Sequence, residues 1–207
     1  MMPSGVEHLT ACLAEARAGD QRAFDRLFEG LSSDRCLLSI VSSIPPRLRA
    51  KIDAEDILQR VRLCVWRDIG QLRDVNTAGF HRWACGIGRN LVVDEVRRSR
   101  AKRRDIGREE GFGRSAASAI LADEHTPSKS VARHERVAQL AELLDELKDS
   151  YRAVIVSRIL DGCSTEETAR ALSMSPENVS VTLHRALAKF RELLKEHGID
   201  SMVFRLW

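Results

Sequence analysis

The chain has 207 residues, 43% of them apolar and 30% charged, with a formal net charge of +3. That is enough for one medium domain or two small ones with a real core. No run approaches the 18 or so apolar residues of a membrane span, and the N-terminus lacks a basic segment followed by an apolar core. The five cysteines (Cys12, Cys36, Cys64, Cys85 and Cys163) are scattered, with no Cys-x-x-Cys pair, and read as free thiols in a reducing cytoplasm.

Strand signals are nearly absent, so the expected class is all-α. Leu9, Leu13, Ala16, Ala23, Leu27 and Leu31 recur at helical spacing but are broken by Gly19-Asp20. That pattern predicts two helices around a tight turn, with Asp20 as N-cap of the second. An apolar run from Leu37 to Ile44 ends at Pro45-Pro46, which a helix cannot easily cross.

The next predicted helix spans Asp53 to Ile69. Ile57, Val61, Cys64 and Val65 share a core face. A second face carries Asp53, Asp56, Arg60, Leu63 and Arg67, with Gln59 and Trp66 beside it. Leu and Trp among polar residues suit a docking surface. The alternative is a Trp66 that caps the core behind an acidic first turn stabilised by the helix dipole.

A polar loop, Arg73 to Gly79, precedes the most telling stretch, Phe80 to Arg104. Phe80, Trp83, Ala84, Ile87 and Leu91 form one apolar face. Eight basic side chains against Asp94 and Glu95 leave six positive charges. A cationic groove with aromatic platforms suits single-stranded nucleic acid. Gly86 and Gly88 either admit a close neighbour, DNA or another helix, or soften this helix. Glu95 and Arg98 are spaced as a helical ion pair.

From Asp105 to about Ser130 the periodicity gives way to Gly, Ser and Pro, which predicts a flexible linker, with Ala116 to Ala122 as one or two helical turns. An acidic stretch with Glu135, Glu142, Asp145, Glu146 and Asp149 follows. Leu140, Leu143, Leu144, Leu147, Tyr151, Val154, Ile155, Ile159 and Leu160 supply a second core. Ser164 with Glu167 makes a capping box, Ser173-Met-Ser a turn, and Ser175-Pro176 the start of a longer helix. Val179, Leu183, Ala186, Leu187 and Phe190 are its apolar stripe. Its polar face carries Glu177, Asn178, Ser180, Val181, Thr182, His184, Arg185 and Lys189. This is a helix-turn-helix whose second helix suits a major groove, with Glu177, Asn178, Ser180, Val181 and Thr182 near base edges and His184 and Arg185 near phosphates. An ordinary helical hairpin is the alternative.

His81 and Cys85 lie four apart but lack a second ligand pair, so no metal is expected. His134, His184 and His197 read as isolated surface residues. No phosphate loop, nucleophile–base pair or catalytic carboxylate setting is visible, so neither an enzyme nor a cofactor is expected.

Three segments in one order resemble the sigma-70 family, and within it the extracytoplasmic function (ECF) sigma factors. They are Phe80-x-x-Trp83…Ile87-x-Arg89-Asn90…Asp94-x-x-Arg97-Arg98, the Asp53–Trp66 helix, and Ser164–Arg191. The resemblance implies region 2 over 1–104, a linker over 105–130, a region 4 helix-turn-helix over 131–197 and a tail over 198–207. It places Asp53, Asp56, Gln59, Leu63 and Trp66 against the clamp helices of the polymerase largest subunit, and implies a contact to the flap. It places Arg73, Asn76, Thr77, Arg82, Arg89, Asn90, Arg97 and Arg98 at a melted −10 element, and the polar face of the last helix at a duplex −35 element. Asn76 and Thr77 have a second reading, as a cap for the following helix. Promoter DNA, core RNA polymerase and an anti-sigma factor are the implied partners, with a cytoplasmic location and no membrane insertion. The chain departs from the family where Lys148 replaces a proline and Thr168 a bulky aliphatic. A polymerase-independent helix-turn-helix regulator is the competing reading.

Overall fold

The structure, a computed structural model, describes residues 5–72, 76–106 and 127–199. It is helical throughout this range, as the missing period-two alternation predicts. Helix α1 (Gly5–Arg17) and α2 (Gln21–Ser43) meet at a turn in which Gly19 has φ of +97° and the Asp20 side chain accepts from Ala23 N–H. Helix α2 takes in both the Ala23–Leu31 pattern and the Leu37–Ile44 apolar run, and continues for 23 residues until Pro45-Pro46 stop it. It then serves as the central post of the fold, packing on α1, on α3 (Ala54–Asp68), on α4 (Thr77–Ile106) and on α5 (Pro127–Asp145).

In α3, Ile57, Leu58, Val61 and Val65 are buried, while Cys64 is half-exposed. Gly88 of α4 explains one glycine of the pair. A Cβ there would come within 3.1 Å of Ile40 Cγ1 and 3.4 Å of Val61 Cγ2, so its absence lets three helices close together. Gly86 faces open space.

The second unit is α5, α6 (Asp149–Ile155), a π-helical turn (Val156–Leu160), α7 (Thr165–Leu172) and α8 (Pro176–Glu196). Two departures from the family pattern acquire reasons here. Lys148 holds the position before α6 at φ of −55°, a value a proline would also adopt. Thr168 is fully buried, and its hydroxyl pairs with Ser157 Oγ at 2.9 Å, so a local polar contact stands where an aliphatic would pack.

The two units are packed on each other. One apolar cluster runs from Leu13 and Phe24 through Ile40 and Val61 to Leu144, Leu160 and Phe190. The Ala116–Ala122 expectation falls outside the described residues.

Candidate nucleic-acid and polymerase interfaces

Asp53 caps α3, accepting from the backbone of Glu55 at 2.8 Å and of Asp56 at 3.4 Å. This puts Asp53, Asp56 and Gln59 in solvent on one side of the helix. Leu63 follows on that side and is 68% exposed, the largest exposure of a big apolar side chain among the described residues. Nothing in the fold accounts for leaving it in water. Trp66 is different. It is half-buried, its ring 5.0 Å from that of Phe24, so most of its packing is with α2 and only an edge can meet a partner.

Arg73 lies outside the described residues, as does the side chain of Thr77. Asn76 acts as a cap: its Oδ1 accepts from Gly79 N–H at 2.7 Å and its carbonyl from Phe80 N–H at 2.9 Å. Phe80 is fully buried, so the sequence expectation of an exposed aromatic platform is overturned for this ring; it is a core residue. Trp83 packs partly against the same core. Helix α4 then projects as a cationic rod. Asn90, Arg97 and Arg98 are exposed, with Arg98 2.7 Å from Glu95 as the spacing predicts, and Arg97 3.8 Å from Asp94. Arg60 of α3 also reaches Glu95, at 3.3 Å.

Arg82 and Arg89, on the same helix, point toward the second unit. Arg82 lies 3.2 Å from Glu167 and Arg89 2.6 Å from Asp161. Sequence reasoning missed Asp161. Nothing in the local pattern distinguishes an Asp-Gly pair at a turn, yet this carboxylate is fully buried. Burial pushes its carboxyl up from the usual range, against the opposing pull of Arg89, Ser39 and Arg35.

His81 and Cys85 do share a face, with Cys85 Sγ 3.4 Å from His81 Nε2. That nitrogen also meets the Leu160 carbonyl at 2.6 Å, so a backbone group occupies it. Contact with the Cys36 thiol and burial push the Cys85 thiol well above its ordinary range, which keeps it protonated and inert. Among the described residues no group of three or more His, Cys, Asp or Glu could hold a metal ion, and no disulfide joins the five cysteines.

The helix-turn-helix forms as its caps predict. Ser164 and Glu167 complete the capping box, Ser173 takes a left-handed conformation (φ 54°, ψ 44°) at the turn, and Ser175 accepts from Asn178 N–H at 3.2 Å. Glu177, Asn178, Ser180, Val181, His184, Arg185 and Lys189 are exposed along one side of α8. Thr182 departs from the polar-face expectation in its burial: it is only 9% exposed, and its hydroxyl donates to Asn178 Oδ1 at 3.3 Å, which braces Asn178. Val181 is 47% exposed, an apolar group held in water.

The family model described as "Sigma-70 region 2" matches residues 35–102, and that described as "Sigma-70, region 4" matches 138–190. The ECF RNA polymerase sigma factor SigX of Bacillus subtilis is 29% identical over 159 residues, covering 75% of this chain and 79% of that protein. The ECF RNA polymerase sigma factor SigD of Mycobacterium tuberculosis is 27% identical over 194 residues, 93% of this chain and 86% of that one. A solved structure of CnrH in complex with the cytosolic domain of CnrY aligns with a TM-score of 0.47 at 25% identity, over 91% of this chain and 98% of that one. Two sigma regions in the family's order on one chain, each laid over the helices described above, make the chain a member of the sigma-70 family, of the ECF type.

Proposed function

We propose that this chain engages core RNA polymerase through the exposed side of α3, holds the melted −10 strand along α4, and reads a −35 duplex with α8. As a sigma factor it directs core polymerase to promoters; the residue assignments are the finer reading. The observation that carries it is the pairing of two unlike surfaces on one chain. Leu63 is left in water beside Asp56 and Gln59, while α4, which packs on the same helix, carries the cationic side. A regulator acting without polymerase would use α7 and α8 and leave Leu63 without a purpose.

Region 2 spans 1–104, the linker 105–130 and region 4 131–197 in this reading, with 198–207 a tail. Arg97, Arg98 and Asn90 meet phosphates and bases of the displaced strand, joined by Arg82 and Arg89. Thr77 and Arg73 complete the loop side of that site. Glu177, Asn178, Ser180 and Val181 read base edges, and His184, Arg185 and Lys189 meet phosphates. The role is binding rather than catalysis, performed in the cytoplasm; no described helix is long and apolar enough to cross a membrane. An anti-sigma protein is a further partner of this reading.

The test is reconstitution. The purified chain, mixed with core polymerase, should co-elute with it and support initiation from a promoter selected in vitro. A chain that binds duplex DNA sequence-specifically yet fails to co-elute with core polymerase would favour the polymerase-independent regulator.

A further inference from the structure

Asn178 and Thr182 stand one turn apart on α8, and the hydrogen bond from the Thr182 hydroxyl to Asn178 Oδ1, at 3.3 Å, fixes their relation. Thr182 is nearly buried, whereas Asn178 is exposed. The two ends of the Asn178 amide are therefore not equivalent. Its oxygen is turned along the helix toward the hydroxyl, and Nδ2, with its two N–H donors, is the end left to meet a partner. The reverse orientation is costly. Among the described residues the Thr182 hydroxyl has no other acceptor, so turning the amide over would leave a nearly buried O–H without a partner. The backbone of Asn178 is anchored as well, its N–H donating to the capping Ser175 Oγ at 3.2 Å. Ser180 shows the contrast. Its hydroxyl donates to the Pro176 carbonyl at 3.1 Å, but the group is exposed, so water competes for that bond and the hydroxyl can turn to either role.

We propose that Thr182 is a positioning residue that sets base specificity: by holding the Asn178 oxygen back it presents Nδ2 to the major groove, so that Asn178 reads a guanine rather than an adenine. This rests on the reading of α8 as the −35 helix. An unrestrained asparagine pairs with adenine because its oxygen accepts from the N6 amino group while its nitrogen donates to N7. Both ends of the amide must then face the base. With the oxygen turned away, adenine would set its N6–H donors against the Nδ2–H donors. Guanine offers two acceptors, N7 and O6, on the same edge, and the two N–H groups of one amide nitrogen can serve both. Thymine offers the single O4 acceptor, and cytosine presents only a donor. The same relation gives a reason for a hydroxyl at the margin of the apolar stripe. Val179 and Ala186 beside it are buried, and a valine of the same shape as Thr182 would serve packing there without fixing the amide.

The experiment compares the full chain with Thr182→Val, Thr182→Ser and Asn178→Ala, each checked for native helicity by circular dichroism and reconstituted with core RNA polymerase. Each holoenzyme selects duplexes from a promoter library randomised over the −35 element, and sequencing gives the base preferences. Asn178→Ala identifies the position that Asn178 reads, as the one where preference collapses. There the wild type should favour guanine over adenine by about fivefold or more, the lower range for one bidentate base contact. Thr182→Val keeps the shape and removes the donor. It should lose the guanine preference or turn it to adenine, with the other positions unchanged. Thr182→Ser restores a hydroxyl and should keep guanine. A wild-type preference for any base other than guanine at this position overturns the inference, as does a guanine preference that survives Thr182→Val. A selected −35 element with no position altered by Asn178→Ala overturns instead the assignment of Asn178 to a base edge, and the inference with it.

Discussion

The Arg89 guanidinium lies 2.6 Å from the Asp161 carboxylate across 72 residues of sequence, and the two ends of the pair are unequal. Asp161 has no exposed surface, whereas 41% of the Arg89 side chain remains in water. The acid therefore depends on the contact more than the base does. Losing Asp161 leaves an arginine that water can solvate; losing Arg89 leaves a buried carboxylate with only Ser39 and the more distant Arg35.

That inequality has a pH signature. Burial holds the Asp161 carboxyl above the ordinary value of 3.8, so the folded chain binds this proton more tightly than the unfolded one. The group's contribution to stability is therefore largest at low pH and declines as pH rises through the raised folded value. The melting temperature of the wild type minus that of Asp161→Asn should increase as pH falls from neutral toward 4. A flat difference over that range would show that Asp161 titrates normally.

Leu63 and Trp66 should separate in mutagenesis. Leu63→Ala removes a group already in water, so the melting temperature should hold within the scatter of surface changes, about 0.5 kcal/mol, while affinity for core polymerase falls by about 2 kcal/mol. Trp66→Ala strips packing from Phe24 and should cost about 2 kcal/mol or more of stability. Calorimetric melting and titration against core polymerase measure both. Normal affinity in Leu63→Ala would remove this side of α3 from the interface.

On α8 the exposed residues divide by chemistry. Val181→Ala should weaken preference for a thymine at one promoter position by about 1 kcal/mol, and Asn178→Ala should relax preference at another. Lys189→Ala should weaken all duplexes alike and reduce the salt slope by about 0.9. Its amine is partly held by Glu192 at 3.0 Å, a contact DNA would compete for. Selection from a randomised −35 library reads the first two, and duplex titration over a range of salt concentrations reads the third. Unaltered preference in both Asn178→Ala and Val181→Ala would argue against this helix as the reader.

Asn76 has a structural duty that any functional test must respect. Asn76→Ala should cost about 1 kcal/mol through loss of the cap. Asn76→Ser keeps an N-cap oxygen while removing the amide. If the amide also holds a base, Asn76→Ser should melt near the wild type yet give less open complex by permanganate footprinting. Wild-type footprints would leave Asn76 as a cap alone.

The Ser157–Thr168 pair predicts non-additivity. Thr168→Val restores the aliphatic of the family pattern but strands a buried Ser157 hydroxyl, for a cost of about 1–3 kcal/mol. Thr168→Val with Ser157→Ala removes both partners and should recover most of that loss. Urea unfolding of the four chains closes the cycle; a cost for the double variant equal to the sum of the two single costs would show that the pair is not coupled.

What was legible in the sequence was what short-range rules govern. Asp20, Ser164 and Ser175 cap the helices they precede, because a side-chain oxygen and its backbone partner lie within three residues of each other. The α3 core face and the α8 stripe follow from helical periodicity alone. What depends on a neighbour brought from far away in the chain was missed or left open. The burial of Asp161 was missed, and the choice between docking and core for Trp66 was open until its packing against Phe24 was known. Thr182 was misplaced because it falls at the margin of the α8 stripe, where a few degrees of rotation decide between water and core.

The stretch from Asp161 to Ser164 is only four residues long, yet its first member is locked into region 2 and its last begins the first helix of the DNA-reading hairpin. With Gly162 as the pivot between them, there is no slack to absorb movement. Withdrawal of the Asp161 side chain from its seat is transmitted straight into the orientation of α7 and, through the tight Ser173 turn, of α8. Movement of the Asp161 side chain and of α7 is thus coupled through three peptide bonds.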